Sequence, residues 1–219
     1  MSDPSAFVRA ETILAAPPLV PEIRLHLASE VVPLWEATEE TLTRRGLPPP
    51  YWAFAWPGGQ AIARHVLDNP ALLRGTRVLD FAAGSGLGAI AAAKVGATSV
   101  TAAEIDEFAL AAIALNAMLN GVMVETISED IVGAPSAWDV VLAGDVCYER
   151  PMAERVARWF AALAAAGTEV LMADPGRAYL PQQGLVELAR YDVPTSLDLE
   201  DRKQRETIVW RWQKNPAQS

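Results

Sequence analysis

The sequence predicts an α/β fold, a parallel sheet with crossover helices, and three observations predict it. From Arg77 onward, short β-rich runs alternate with alanine-rich helical runs. A glycine loop, Gly84-Ser85-Gly86-Leu87-Gly88, follows an expected strand and opens an expected helix. An acidic residue stands at or just past the carboxyl end of each of five expected strands: Asp80, Glu104, Asp130, Asp145 and Asp174. Open α/β sheets bind their ligands at that edge, near the point where strand order reverses. Any one of these acids is equally well a helix cap. Together they make a negative rim.

The elements follow in chain order. Met1 to Ala10 lacks the basic start and apolar core of a secretory signal, so a cytoplasmic protein is expected. A disordered start is expected through Leu14. Ile23, Leu25 and Leu27 alternate, which suggests a strand within Ile23–Val32. Pro33 opens a helix with Leu34, Trp35, Thr38 and Leu42 on one side, and Gly46 ends it. Pro48-Pro49-Pro50 is a stiff connector. The alternating aromatics Trp52, Phe54 and Trp56 read as extended chain, and Gln60–Asn69 reads as a helix. Strands are expected at Arg77–Phe81, Ser99–Ala103, Met123–Ile127, Trp138–Ala143 and Glu169–Ala173. Helices are expected at Leu87–Val95, Glu107–Asn120, Pro151–Ala165 and Pro181–Tyr191. Tyr191–Leu199 and Glu206–Trp212 suggest a closing antiparallel hairpin around the charged loop Glu200–Arg205. The division expected is an N-terminal extension over 1–47, one domain over 48–214, and a tail over 215–219.

Composition narrows the function. The chain has 219 residues, 51% hydrophobic and 21% charged, which is ordinary for a folded domain. No apolar run approaches the roughly 18 residues of a membrane span. Cys147 is the single cysteine, so no internal disulfide or zinc cluster is possible, and His26 and His65 alone make a poor metal site. The net charge is −9 and the pI about 4.8. That balance argues against nucleic acid and suits a cationic ligand or a basic protein segment.

The glycine loop indicates a nucleotide-type cofactor. Gly84-x-Gly86-x-x-Ala89 can be laid on a dinucleotide fingerprint, but a pyrophosphate would not favour the carboxylate of Asp80 just before the glycines. Asp80, small residues and then Glu104 at the end of the next strand resemble class I methyltransferases, which bind S-adenosylmethionine. In the fourth of these strands, Gly144-Asp145-Val146-Cys147-Tyr148 carries a D-x-x-Y tetrapeptide. Some amine methyltransferases place D-P-P-Y here, to hold an amide or base nitrogen. Without the rigid Pro-Pro pair, an acid plus an aromatic suits an aliphatic ammonium better. The plainer alternative is a strand-end turn with a packed tyrosine.

Taken together, Pro49–Gln60 with its W-P-G-G-Q run, Val78–Gly86, Glu104-Ile105-Asp106, Gly144–Tyr148 and Asp174-Pro175-Gly176-Arg177 resemble one family. It is the seven-β-strand lysine methyltransferases acting on the β subunit of electron transfer flavoprotein, in its bacterial branch. The resemblance implies a class I, Rossmann-like fold: a seven-stranded, mostly parallel sheet in the order 3-2-1-4-5-7-6, with helices on both faces and an N-terminal extension. It implies an S-adenosylmethionine site at Trp56, Gly58, Asp80, Ala82, Gly84, Gly86, Glu104, Ile105, Asp130, Ile131 and Gly144. Within it, Trp56 and the Gly58-Gly59 turn border the amino-acid end, Glu104 meets the ribose, and Asp130-Ile131 lies near the adenine. It implies Asp145 and Tyr148 at the substrate amine. Two departures stand out: Ala82 where glycine is common, and Glu104 where aspartate is common.

The expected chemistry is attack by a neutral lysine amine on the cofactor's methyl group, with Asp145 attracting and orienting the amine. Pro175-Gly176 reads first as a plain turn; in the functional alternative, the loop shapes the substrate entrance and Arg177 meets an acidic group on the protein substrate. A monomer with a protein partner, and no nucleic-acid or membrane partner, is expected. Alternatives are a methyltransferase for another protein lysine or a small-molecule amine, a nucleic-acid methyltransferase, and a non-catalytic cofactor-binding module. Trp35, Trp159, Trp210, Trp212 and Cys147 read as packing residues, and His65 as a surface or boundary residue.

Overall fold

In the computed structural model, residues 3–28, 49–195 and 203–214 are described. The described chain runs α1 (Pro4–Glu11), β1 (Ile13–Ala15), β2 (Leu25–Leu27), α2 (Pro57–Asp68), β3 (Arg77–Phe81), α3 (Leu87–Lys94), β4 (Ser99–Ala103) and α4 (Glu107–Leu119). It continues through β5 (Glu125–Ile127), β6 (Val140–Gly144), α5 (Arg150–Ala165), β7 (Glu169–Asp174), β8 (Leu185–Pro194) and β9 (Gln204–Trp212).

Seven strands form one sheet in the order β5-β4-β3-β6-β7-β9-β8. β9 alone runs antiparallel to its neighbours β7 and β8. Counting from β3, this is the 3-2-1-4-5-7-6 order that the resemblance implied. The chain leaves β3 toward β4 on one side and returns to β6 on the other, so the sheet's switch point lies between β3 and β6.

Burial explains the central strands. Val78, Leu79, Asp80 and Phe81 in β3, and Val140 to Ala143 in β6, are buried on both faces, as parallel strands between helix layers must be. One layer holds α2 and α3. In α3 the consecutive residues Leu87 to Ala92 are all buried, so this helix is apolar all round. The other layer is α5, whose Val156, Trp159, Phe160 and Leu163 recur at helical spacing and face the sheet. Phe160 is fully buried and meets Phe81 and Trp212 edge-on, at ring centroid distances of 5.8 and 6.2 Å.

The N-terminal segment is ordered against this core rather than disordered through Leu14. Asp3 caps α1 by accepting from the Ser5 N–H, and Val8 is buried beside Trp52 and Phe108. β1 pairs with β2, from Ile13 opposite Leu27 to Ala15 opposite Leu25. Asn116, fully buried in α4, joins this hairpin to the glycine loop. Its Oδ1 accepts from the His26 N–H at 2.7 Å and its Nδ2 donates to the Ser85 carbonyl at 2.9 Å.

Three further sequence expectations fail in the described residues. Pro181–Tyr191 is not a helix; β8 occupies most of it, because pairing with β9 outweighs the helix propensity of Leu185-Val186-Glu187-Leu188-Ala189-Arg190. Tyr51–Ala53 is a single 3₁₀ turn rather than extended chain, and α2 begins at Pro57, so Gly58 and Gly59 lie inside its first turn. His65 is buried, 7% exposed, with its Nδ1 at 3.2 Å from the Tyr191 hydroxyl. The helix expected from Pro33 to Gly46 lies outside the described residues, as do residues 200–202 of the Glu200–Arg205 loop. Trp159, Trp212 and Cys147 are buried packing residues, as expected.

Candidate active site

The loop after β3 is built from left-handed backbone. Ala82, Gly84 and Gly86 have φ of 52°, 52° and 78°. Glycine adopts this conformation freely, whereas at Ala82 the methyl group makes it costly. The loop is pinned to β4 through Glu104. One carboxylate oxygen accepts from the Gly84 N–H at 3.0 Å, and the other from Ile105 and Asp106 at 2.8 and 3.3 Å. Ile105 beside it is 72% exposed.

Asp80 does something different from its neighbours on the edge. It is buried, and its carboxylate accepts from the Ala89 N–H at 2.7 Å in the first turn of α3. A Cβ on Gly88 would come within 2.7 Å of Asp80 Oδ1, so the helix start closes directly over the acid. Burial pushes the Asp80 carboxyl up to about 7; the Ala89 hydrogen bond opposes this and the charge of Glu104 adds to it. Asp80 is therefore a buried anchor for α3, and the rim of acids is not uniform. Asp130 is exposed and pairs with Arg155 at 2.7 Å, while Ile131 packs partly buried on the α5 side.

The loops after β6 and β7 hold the other half of the site. Gly144 ends β6 where α2 begins. A Cβ on Gly144 would lie 2.6 Å from Gly59 N, and one on Gly58 would lie 2.5 Å from both the Ala173 carbonyl oxygen and Asp145 Oδ2. Helix start and strand end thus meet backbone to backbone. Asp145 follows with φ of 56°, its N–H bonded to the Ala173 carbonyl at 3.0 Å. Its Oδ2 accepts from the Gly59 N–H at 3.1 Å, and its Oδ1 from Arg177 Nη2 at 3.2 Å. Burial raises the Asp145 carboxyl to about 6, with Arg177 pulling it down and Asp174 pushing it up.

Arg177 is folded inward, onto Asp145 and Trp56. Asp174 fixes it there: its Oδ1 accepts from the Gly176 and Arg177 N–H groups at 2.8 and 2.6 Å. The guanidinium also lies over the Trp56 ring, 5.8 Å from its centroid. Trp56 is held in turn by its Nε1, which donates to the Tyr51 carbonyl at 2.8 Å. Tyr51 contacts both Trp56 and Tyr148, at ring centroid distances of 6.0 and 5.6 Å. Tyr148 is 40% exposed, and burial of part of its ring raises its hydroxyl above the ordinary tyrosine value. Cys147 faces inward at 3.9 Å from Met172 Sδ, its thiol pushed up to about 12 chiefly by burial, so it is no nucleophile.

Asp145 and Tyr148, three residues apart in sequence, are therefore linked in space through Arg177, Trp56 and Tyr51. Reading the sequence missed Tyr51 and the inward course of Arg177. The aromatic run at Tyr51–Trp56 marked the first. No local signal marked the second, since residues 145 and 177 come from different loops. No group of histidine, cysteine and acidic residues among the described residues is arranged to hold a metal ion.

The family described as ribosomal protein L11 methyltransferase matches residues 63–147. Over nearly the whole chain, similarity is to proteins named electron transfer flavoprotein β subunit lysine methyltransferase. The Danio rerio protein is 36% identical over 205 residues, covering 90% of this chain and 78% of the relative. The Xenopus laevis protein is 36% identical over 217 residues, covering 96% and 87%, and the human one 33% over 216, covering 95% and 81%. Among solved structures, a Thermoplasma acidophilum protein superposes with a TM-score of 0.55 at 17% identity, over 72% of this chain and 89% of its own. The magnesium protoporphyrin IX methyltransferase of Synechocystis, solved with bound S-adenosylmethionine, gives 0.51 at 15% identity, over 97% and 99%. Both structures share the class I methyltransferase fold with this chain.

Proposed function

Because this chain belongs to the electron transfer flavoprotein β-subunit lysine methyltransferase family, we propose that it methylates lysine of that flavoprotein subunit, with S-adenosylmethionine as donor. The observation that carries the amine chemistry is the bracket formed by Asp145 and Trp56, a buried carboxylate facing an aromatic ring across a cation.

The residues of the glycine loop fit the cofactor. Glu104 is a carboxylate fixed by three N–H groups that retains acceptor capacity for ribose hydroxyls. A Cβ on Gly84 would meet only the Trp52 backbone, at 3.8 Å, so the loop leaves open space beside it. Glu104, Ile105 and the loop from Ala82 to Gly86 would hold the nucleoside end, with Asp130 and Ile131 toward the base. Trp56, Gly58 and Gly144 would border the amino-acid end, and Asp80 supports it from beneath α3. When bound, the cofactor supplies an electrophilic methyl group.

The chain's own residues handle the lysine. A free lysine has a pKa of about 10.4, so a neutral amine at pH 7 costs roughly 4–5 kcal/mol. Asp145 works against deprotonation, because its charge favours the ammonium. Its role is recruitment and orientation of the incoming lysine through a charge-assisted hydrogen bond. Tyr148 stays protonated at neutral pH and offers a hydroxyl and a ring face beside the site. The proton leaves to water, and catalysis is chiefly positioning.

The proposal keeps the enzyme cytoplasmic and monomeric, without a membrane or nucleic-acid partner. The net charge of −9 supports the last of these. No described helix is long and apolar enough to cross a membrane. The test is transfer of labelled methyl to purified flavoprotein, with mass spectrometric identification of the modified residue. Methyl-lysine on the β subunit that disappears with Asp145→Ala is the expected result. Label on other proteins or on small amines from cell extract, with none on the flavoprotein, removes the substrate from the reading.

A further inference from the structure

The bracket that would receive the substrate's ammonium already contains a cation of the chain itself. Arg177 Nη2 reaches Asp145 Oδ1 at 3.2 Å while the same guanidinium covers Trp56. Its side chain is 22% exposed and that of Asp145 11%, so the pair is largely withdrawn from water. The turn that carries Arg177 is itself held by hydrogen bonds from its backbone. Asp174 is 1% exposed and takes two N–H groups of the Gly176-Arg177 turn on one oxygen. That turn uses the left-handed φ of 84° at Gly176 to send Arg177 back toward β6. The remaining oxygen of Asp145 is occupied by Gly59 N–H at 3.1 Å.

From this geometry we infer that Arg177 is an internal stand-in for the substrate ammonium, a tethered competitor that every incoming amine must displace. The inference rests on the amine-methylating reading of the site. Exchange of one cation for another at Asp145 and Trp56 gains little by itself, since the new contacts repeat those given up. A free alkylamine has nothing else to offset the release of Arg177. A lysine on a docked protein has the rest of the protein surface, which raises its effective concentration at the bracket. The displacement cost is the same for both amines, so it lowers turnover of a free amine far from saturation while a docked lysine still fills the bracket. Arg177 acts through Asp145 and Trp56 and takes no part in the transfer.

The test titrates n-butylammonium into the full chain as wild type, Arg177→Ala and Arg177→Gln. It follows the Trp56 indole N–H resonance, assigned by Trp56→Phe. Both variants are expected to bind the alkylammonium at least about fivefold more tightly than wild type. In a methyl-transfer assay, kcat/KM should rise at least about fivefold for n-butylamine and by a similar factor for the flavoprotein subunit, since both amines displace the same guanidinium, while the rate at saturating flavoprotein changes much less. Unchanged or weaker alkylammonium binding in variants that keep the wild-type melting temperature overturns the inference, and shows that Arg177 only positions Asp145. Arg177→Gln keeps the bulk of the side chain, so it decides the matter if Arg177→Ala does not fold. A wild-type enzyme that leaves the flavoprotein unmethylated removes the substrate assignment instead, and the titration still reads out on Arg177.

Discussion

The two halves of the sheet's carboxyl edge each carry a buried aspartate at the end of a central strand, and they use it differently. At the end of β3, Asp80 faces backbone: one N–H of α3 bonds it, and burial raises it to about 7. Past the end of β6, Asp145 faces a guanidinium as well as a backbone N–H, and it stays lower, at about 6. The first carboxylate organises a helix beneath a loop. The second presents a charge to whatever approaches the aromatic bracket. Burial of an acid at a strand end thus does not by itself mark chemistry; the kind of group brought to it does.

Removing Asp145 should have the largest effect on activity. Asp145→Ala is expected to cut kcat/KM for the protein substrate at least about a hundredfold, near 2.7 kcal/mol of transition-state stabilisation. Asp145→Asn should in addition abolish an acid limb near pH 6 in the kcat/KM profile; wild type gains activity as pH rises through that value and the carboxylate forms. An acid limb that survives the substitution would break the contrast between the two aspartates. Gly58→Ala comes next, since its methyl would lie 2.5 Å from the Ala173 carbonyl and from Asp145 Oδ2. A loss of about 2–4 kcal/mol in denaturant unfolding is expected.

On the other half, Glu104→Ala should weaken S-adenosylmethionine binding about 10–100-fold in calorimetry and leave the KM for the flavoprotein near wild type. For Asp80 the effect is on stability and depends on pH. Its folded value lies above the unfolded one, so ionisation costs stability. The cost is absent below about pH 4, grows as pH rises toward 7, and is full above 7. Between pH 5 and pH 8, wild type should lose at least about 1 kcal/mol relative to Asp80→Asn, and the difference between the two isolates this group from Asp106 and Asp145. The smallest effect expected is a gain: Ala82→Gly relieves a left-handed alanine and should stabilise by about 0.5–1 kcal/mol.

Much of this molecule is legible locally, and its failures have a common cause. β3 and β4 fall on the residues that the hydrophobic runs indicated, because both are buried on both faces and bounded by turn residues. The segment at Leu185–Pro194 reads as helix because Leu, Glu, Ala and Arg favour one. Its strand state depends on β9, which arrives later in the chain, and on Arg190 bridging Glu187 and Glu206 across the pair. His65 was misplaced for the same reason, since Tyr191, which covers it, is 126 residues away in sequence. At the site, residue types and edge position could be read from motifs. The joining of Asp145 to Gly59 and to Arg177 spans 86 and 32 residues, and nothing local encodes it.

The seam between Gly58-Gly59 and Gly144 carries a consequence for inheritance. Space for a methyl at Gly144 would have to come from the backbone of Gly58 and Gly59, and space at Gly58 from the Ala173 carbonyl and the Asp145 N–H. Side-chain shrinkage elsewhere cannot make enough room, because main chain stands in the way at both positions, joined at Gly58 by Asp145 Oδ2. A defect at one glycine therefore has no partner change at the other that repairs it. Suppressor screens starting from Gly58→Ala or Gly144→Ala should return true revertants rather than second-site solutions at this seam, leaving lineages no stepwise path through it.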